Sequence, residues 1–475
     1  MGDFGLVGCV AALIDACLPP HAGWPVCDLR KYMDQLNSVG EFEEVGRDRP
    51  FNPYRFAASE NTKGIVGEAI ALLASYEDRF NLRRNRRRPR DQQTFEQTVE
   101  AILSDLMHGQ LLGGTGIYVT RSNRVLGAKS RYRPPVYSKV FPAILDLLAK
   151  PEMGYVEQDV APDVQGVSRS TVILPGPRLL DRIAEREVGV DDLDTHQSGE
   201  TIILKRSKDP NDYWDEGERL EYQEDDRTER YRAELAEINQ WLREADLQFD
   251  WKGIAWPHTP IALRDRRLRR VFTQGRFDSG GRLFGGFWQQ LRKDERRTGL
   301  LISGEKAVEL DYGQAGARIL YGMAGQQPAS DDLYHLWGYV QQREGIKRVM
   351  SAMIFADKPL ERFPKFTRKL FRKGDKIAEV VEAIASKHSL IRDRFHCGIG
   401  HDAQFIESQI MVEVLLIMRA KRITALPIHD ALMVPGSAAA AAKDAMLSVF
   451  QQMTGVPAIV TQSEVETLRP FVSSF

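Results

Sequence analysis

Ala307-Val308-Glu309-Leu310-Asp311-Tyr312-Gly313-Gln314 is an apolar strand running into acid, and its reading together with two later segments decides the fold. Those segments are a basic helix, Arg343-x-x-x-Lys347, and a hairpin, Pro427-Ile428-His429-Asp430-Ala431-Leu432-Met433-Val434. Each aspartate adjoins an apolar β-run, where a rigid strand aims a carboxylate at a fixed point. Phosphoryl transfer with two Mg²⁺ ions about 3.5 to 4 Å apart needs such carboxylates, because hard oxygen ligands hold the ions that bind the attacking and departing oxygens. A triphosphate also needs cations. Arg343 and Lys347 lie four apart on one helix face, where both reach it.

At these residues the chain resembles the superfamily of family A DNA polymerases and single-subunit, phage-type RNA polymerases. Asp311 to Arg318 is similar to motif A, Arg343 to Ala356 to motif B on the fingers, and His429-Asp430 to motif C. The helix Phe405-Ile406-Glu407-Ser408-Gln409 is similar to the one lining the primer-terminus side of that site. The resemblance covers roughly residues 265 to 475, and it rests on the joint order, strand context and spacing of motifs that are individually common. It implies that Asp311 and Asp430, with the Tyr312 carbonyl, ligate two Mg²⁺ ions, Mn²⁺ being the alternative. Arg343 and Lys347 hold the triphosphate, and Lys347 protonates the pyrophosphate leaving group. Gln314, Phe355, His429, Glu407 and Gln409 line the substrate and primer end.

Departures from the pattern carry information. The DNA polymerases of the family have a glutamate five residues after the motif A aspartate, packed where a ribose 2′-hydroxyl would go; here the position is Gly316, as in the phage-type RNA polymerases. Ala431 follows motif C where the DNA enzymes have glutamate. Phe355-Ala356 replaces the usual Tyr-Gly ending of motif B, which removes a hydroxyl that helps sense the sugar. These residues lead to an expectation of weak sugar selectivity, with a packing glycine as the plainer account of Gly316.

Upstream, Arg266-Arg267-Leu268-Arg269-Arg270-Val271-Phe272 precedes Phe277-Asp278-Ser279-Gly280-Gly281-Arg282, which resembles the Asp-x-x-Gly-Arg segment before the palm of phage-type RNA polymerases. Glycines let a strand of nucleic acid approach closely and arginines, Arg282 among them, contact it. A glycine-rich turn on a core strand is the alternative.

Composition narrows less. The chain has 475 residues and a net charge of -1, so any nucleic-acid face is local. Cys9, Cys17, Cys27 and Cys397 show neither metal spacing nor a paired framework, which suits a reducing cytoplasm. Leu6 to Leu18 reads as an amphipathic helix, and no segment is long enough to span a membrane. Seven arginines lie between Arg79 and Arg90, of which Arg83, Arg84, Arg86, Arg87 and Arg88 form a density suited to a phosphate backbone or to a solvated loop.

The expected architecture is α+β. A right-hand polymerase with an antiparallel-sheet palm and helical fingers occupies 261–475, and an acidic linker with a thumb-like helix (Tyr231, Leu235, Ile238, Leu242 on its apolar face) occupies 191–260. An N-terminal α/β nucleic-acid-binding region occupies 1–190. Within it, 131–190 reads either as a winged helix whose wing carries Arg169 or as a plain accessory domain. The expected function is template-directed nucleotide transfer, DNA template and primer or product being the partners and rNTP or dNTP the substrates, in a primase-polymerase or minimal RNA/DNA polymerase of a plasmid or phage. The alternatives are a conventional DNA-directed DNA polymerase without proofreading and a non-catalytic DNA-binding replication or defence protein with a relic palm.

Overall fold

A computed structural model describes residues 48–114, 116–159, 171–209, 212, 215–251 and 261–463. Cys9, Cys17, Cys27, the helix expected over Leu6 to Leu18, and Arg169 lie outside these residues. Asp48–Phe475 carries two hydrophobic cores.

The first core is built by β1 (Arg49–Pro50), β2 (Arg55–Ala57), α1 (Glu60–Arg79), α2 (Pro89–Leu111), β3 (Ile117–Val119), α3 (Asn123–Leu126), α4 (Phe141–Leu148), β4 (Val156–Asp159), β5 (Thr171–Pro175), α5 (Pro177–Glu185) and β6 (Leu193–Thr195). Ser59 starts α1 by accepting from the Thr62 amide, while Thr62 reciprocates. Pro89, which has no amide to leave orphaned, starts α2. Phe95, Val99, Ile102 and Leu106 recur at helical spacing along α2 and are all buried against the sheet. That sheet runs β1-β3-β5-β4, with β5 antiparallel to both neighbours, and β2 pairs separately with β6.

The second core begins with β7 (Ile202–Leu204), α6 (Asp226–Glu244), β8 (Leu247–Phe249), β9 (Arg269–Phe272) and β10 (Gly280–Phe284). It continues through α7 (Lys293–Gly299), β11 (Leu300–Ile302), β12 (Glu305–Gly313), α8 (Ala315–Met323), α9 (Arg343–Phe355), α10 (Ile377–Lys387), α11 (Gly400–Ala420), β13 (Leu426–Ile428), β14 (Ala431–Pro435), α12 (Ala439–Thr454) and β15 (Ile459–Gln462). Its main sheet runs β13-β14-β12-β11-β8, with β15 also on β12, and every pairing is antiparallel. The fold is therefore mixed α+β around an antiparallel sheet.

The helix at 226–244 is anchored inside this core. Tyr231, Leu235, Ile238 and Leu242 are buried, and Glu237 pairs with Arg419 of α11. The acidic stretch before it makes specific contacts: Asp215 takes both Arg206 guanidinium nitrogens at 2.6 and 3.0 Å, and Asp225 caps α6. Among the described residues, no helix is long and apolar enough to cross a membrane.

Candidate active site

Asp311 sits opposite Ala431 in the β12–β14 register, and the Tyr312 amide donates to the Asp430 carbonyl at 3.3 Å. Asp311, on β12, and Asp430, in the turn between β13 and β14, therefore lie at adjoining positions. Leu310 and Tyr312 point into the core; the Tyr312 hydroxyl donates to the Met446 carbonyl at 2.7 Å and its ring lies 5.2 Å from Phe450. This fixes the strand and leaves Tyr312 only its carbonyl to offer a metal. Strand alternation places Asp311 on the other face, beside Glu309.

Left-handed backbone flanks both aspartates, at Gln314 (φ 63°) and His429 (φ 56°). Such conformations cost roughly 1–3 kcal/mol each in a non-glycine residue and persist where the surroundings enforce them. At Gln314 the enforcement is visible: its side-chain amide donates to the Asp331 carbonyl at 3.1 Å and accepts from the Leu333 amide at 2.8 Å.

Among the described residues, no hydrogen bond or ion pair reaches the Asp311 or Asp430 carboxylate. Burial pushes the Asp311 carboxyl up to about 6; repulsion from Asp430 and Glu309 adds to this, and Lys293 and Lys347 oppose it. Glu407 is pushed up to about 7, again chiefly by burial, although Arg282 holds it at 2.6 Å. Asp311 and Asp430 offer hard oxygen donors that no described protein group engages, a donor set that fits Mg²⁺ or Mn²⁺. No group of three or more His, Cys, Asp or Glu gathers as a ready metal cage among the described residues. Asp311 and Asp430, with the Tyr312 carbonyl, would be the residues to hold such an ion.

Glu309 is a neighbour that sequence reasoning misses. It is buried, with Lys293, Arg296 and Arg297 of α7 at 3.3, 3.6 and 4.0 Å. Its place two residues before Asp311, on the same strand face, is the signal that could have found it.

On α9, Lys347 is exposed and close enough to Asp311 to stabilise its charged form. Arg343 instead forks onto Asp332, with bonds of 2.7 and 3.0 Å. Phe355 is 44 % exposed and meets the His401 ring edge-on at 5.2 Å. A Cβ added at Gly400 would lie 2.5 Å from that phenyl ring, so the glycine makes room for it. At Gly316, on α8, an added Cβ meets no atom within 4 Å. Close packing therefore does not explain that glycine.

The β9–β10 hairpin is clamped to α11. Arg270, almost fully buried, donates to the Gly281 carbonyl at 3.0 Å, to Ser408 at 3.2 Å and to Gln409 at 2.6 Å. Gly281 has φ 79°, and a Cβ there would press within 2.7 Å of the Ser408 hydroxyl. The Gln409 carbonyl oxygen thus serves the hairpin. Phe284, at the hairpin's end, meets the His429 ring at 5.5 Å.

No protein family model matches the chain, and no curated protein matches it. Among solved structures it is similar to the POL domain of Pol1 from M. smegmatis in complex with DNA primer-template and dNTP, at 11% sequence identity and a TM-score of 0.25. The likeness covers 50% of this chain and 50% of that one, so the chain spans half the length of the structure it matches. An overlap that slight carries no inference.

The N-terminal arginines lie apart in sequence and core from these residues, in the connection between α1 and α2. Arg87 folds back: it pairs with Glu77 at 2.6 Å and its guanidinium lies 3.7 Å over the Phe95 ring. Arg83, Arg84, Arg86 and Arg88 are exposed.

Proposed function

We propose that the chain is a template-directed nucleotidyltransferase, a nucleic-acid polymerase with weak sugar selectivity. The observation that carries this reading is the pair of carboxylates without protein partners among the described residues, Asp311 on β12 and Asp430 in the turn that leads into β14, brought together by the β12–β14 pairing with Lys347 nearby.

Asp311, Asp430 and the Tyr312 carbonyl would hold two Mg²⁺ ions. When bound, such ions activate the attacking hydroxyl and neutralise charge on the transferred phosphoryl group. Lys347 binds the triphosphate and delivers a proton to the departing pyrophosphate. Arg343 joins it by exchanging Asp332 for a phosphate, since its fork suits either anion. Phe355 stacks beside the nascent pair, while His429 and the Glu407–Arg282 pair border the primer end. Gly316 leaves the 2′-hydroxyl space open, so ribonucleotides are admitted.

The β4–β5 hairpin that follows α4, with β5 also paired to β3, supports the winged-helix reading of 131–190 and with it a nucleic-acid-binding N-terminal region. A primase-polymerase or minimal RNA/DNA polymerase of a plasmid or phage is the finer form of this proposal. Extension of a labelled primer on DNA and RNA templates, with separate rNTP and dNTP pools, tests it. The expected result is addition from both pools; absence of addition on every template would remove the proposal.

A further inference from the structure

A cleft of about 840 Å³ opens between the two cores, and arginine dominates its wall. From the first core it takes Arg124 and Arg133 with Tyr54, Tyr132 and Tyr137; from the second it takes Arg219, Arg267 and Arg269. The carboxylates that also line it are largely spent. Asp265 receives a two-bond fork from Arg55 at 2.8 and 3.0 Å, and Glu200 lies 3.2 Å from Arg232 and 3.5 Å from Arg131. Glu218 is the remaining acid on the wall.

Among the described ion pairs, none joins a carboxylate to Arg124, Arg133, Arg219, Arg267 or Arg269. Among the described residues, the Arg267 guanidinium donates only to the Gly199 carbonyl, at 2.6 Å. Confinement has a cost here: desolvation, with repulsion from Arg269, lowers the pKa of Arg267, and desolvation with repulsion from Arg219 lowers that of Arg269. An anion entering the cleft opposes both shifts by its charge. Aromatic rings stand among the cations, the Arg267 guanidinium 5.9 Å from the Tyr54 ring and the Arg219 guanidinium 5.7 Å from that of Tyr132.

The cleft also adjoins the carboxylate site. Arg269 pairs with Phe284 across the β9–β10 register, and Phe284 meets His429, the residue before Asp430. Gly285, next along, lines the cleft itself.

We infer that this cleft holds a single strand of nucleic acid beside the polymerase site, its arginines on the phosphates and Tyr54 and Tyr137 against the bases. Unpartnered cations with interleaved aromatic rings are what a single strand requires, and a cleft of this size takes a few nucleotides but not the body of a duplex. The adjacency to the site gives the strand its role as template and so rests on the function proposed above; the binding itself does not.

The test is fluorescence anisotropy of a labelled oligo(dT) with the full chain across a salt series, comparing wild type with Arg219→Ala/Arg267→Ala/Arg269→Ala and with the single variant Arg219→Glu. Arg219 is exposed, so the single variant keeps its fold if the triple does not. The expected result is at least tenfold weaker binding by the triple variant and a log K against log salt slope flatter by about 2, three lost phosphate contacts at roughly 0.7 each for a single strand. Arg219→Glu weakens binding in the same direction. Unchanged affinity and slope in the folded variants overturn the inference, as does equal competition by a blunt duplex or by free dNTP. Wild type that extends primers while the variants bind normally removes the cleft and keeps the polymerase. Wild type that extends nothing while the variants lose oligo(dT) removes the polymerase and keeps the cleft.

Discussion

Gly316 stands on α8 with open space where a side chain would project, and two consequences follow at the residue scale. Gly316→Ala should stabilise the protein by roughly 0.5–1 kcal/mol in thermal or denaturant unfolding, because it removes the backbone entropy of a helical glycine without a clash. Gly316→Glu should lower the ratio of kcat/KM for ATP over dATP by about ten- to a hundredfold, as a charged group against the 2′-hydroxyl costs roughly 1 to 3 kcal/mol. An unaltered ratio would put sugar selection elsewhere. Arg87 differs from the arginines around it for a comparable reason of surroundings. Arg87→Ala strips a nearly buried Glu77 of its partner and should cost about 1–3 kcal/mol, whereas single replacements of Arg83, Arg84, Arg86 or Arg88 should stay within about 0.5 kcal/mol. Denaturant midpoints decide this; equal losses at all five positions would contradict the assignment.

At the scale of elements, β12 and the 426–435 hairpin are legible in the sequence because their apolar runs are long enough to read, and α9 is legible from the spacing of Arg343 and Lys347. The apolar stripe of α6 is equally plain, yet it cannot say whether the helix projects or is buried; the structure buries it. The strand Ile117–Val119 is too short for periodicity to register, so the sheet order around β5 stays hidden. Hidden too are the left-handed Gln314, which owes its conformation to Asp331 and Leu333, and the pairing of Arg343 with Asp332; His429 takes its positive φ as the first residue of the two-residue turn between Ile428 and Ala431. His388 shows how such tertiary placement sets pH behaviour. It lies between the Tyr321 hydroxyl, 2.9 Å from Nδ1, and the Leu333 carbonyl, 2.9 Å from Nε2, joining α8 to the end of α10. Burial lowers its pKa to about 4 from 6.5. The unfolded chain therefore binds the proton more readily, so this contribution is complete above pH 6.5 and is lost as the pH falls towards 4. The loss is on the order of 3 kcal/mol. His388→Gln should narrow the difference between Tm at pH 7.5 and at pH 5; an unchanged difference would show that His388 is not the group responsible.

At the scale of the whole molecule, Arg55 of the first core forks onto Asp265 of the second, and Arg131 reaches Glu200 and Glu224. The same junction walls the arginine cleft; Arg267 and Arg269 belong to the basic run legible in the sequence, whereas Arg124, Arg133 and Arg219 join them from segments far apart in the chain, which no local pattern announces. All of these parts serve one claim, that Asp311 and Asp430 are the metal-holding carboxylates of a polymerase. The most direct test is Mg²⁺-dependent primer extension by Asp311→Asn and Asp430→Asn, measured beside binding of the same primer-template. Each variant should lose extension by several orders of magnitude while binding stays within about twofold of wild type, because the arginines that attract the phosphates are untouched. Near-normal extension by either variant would contradict the metal-holding role.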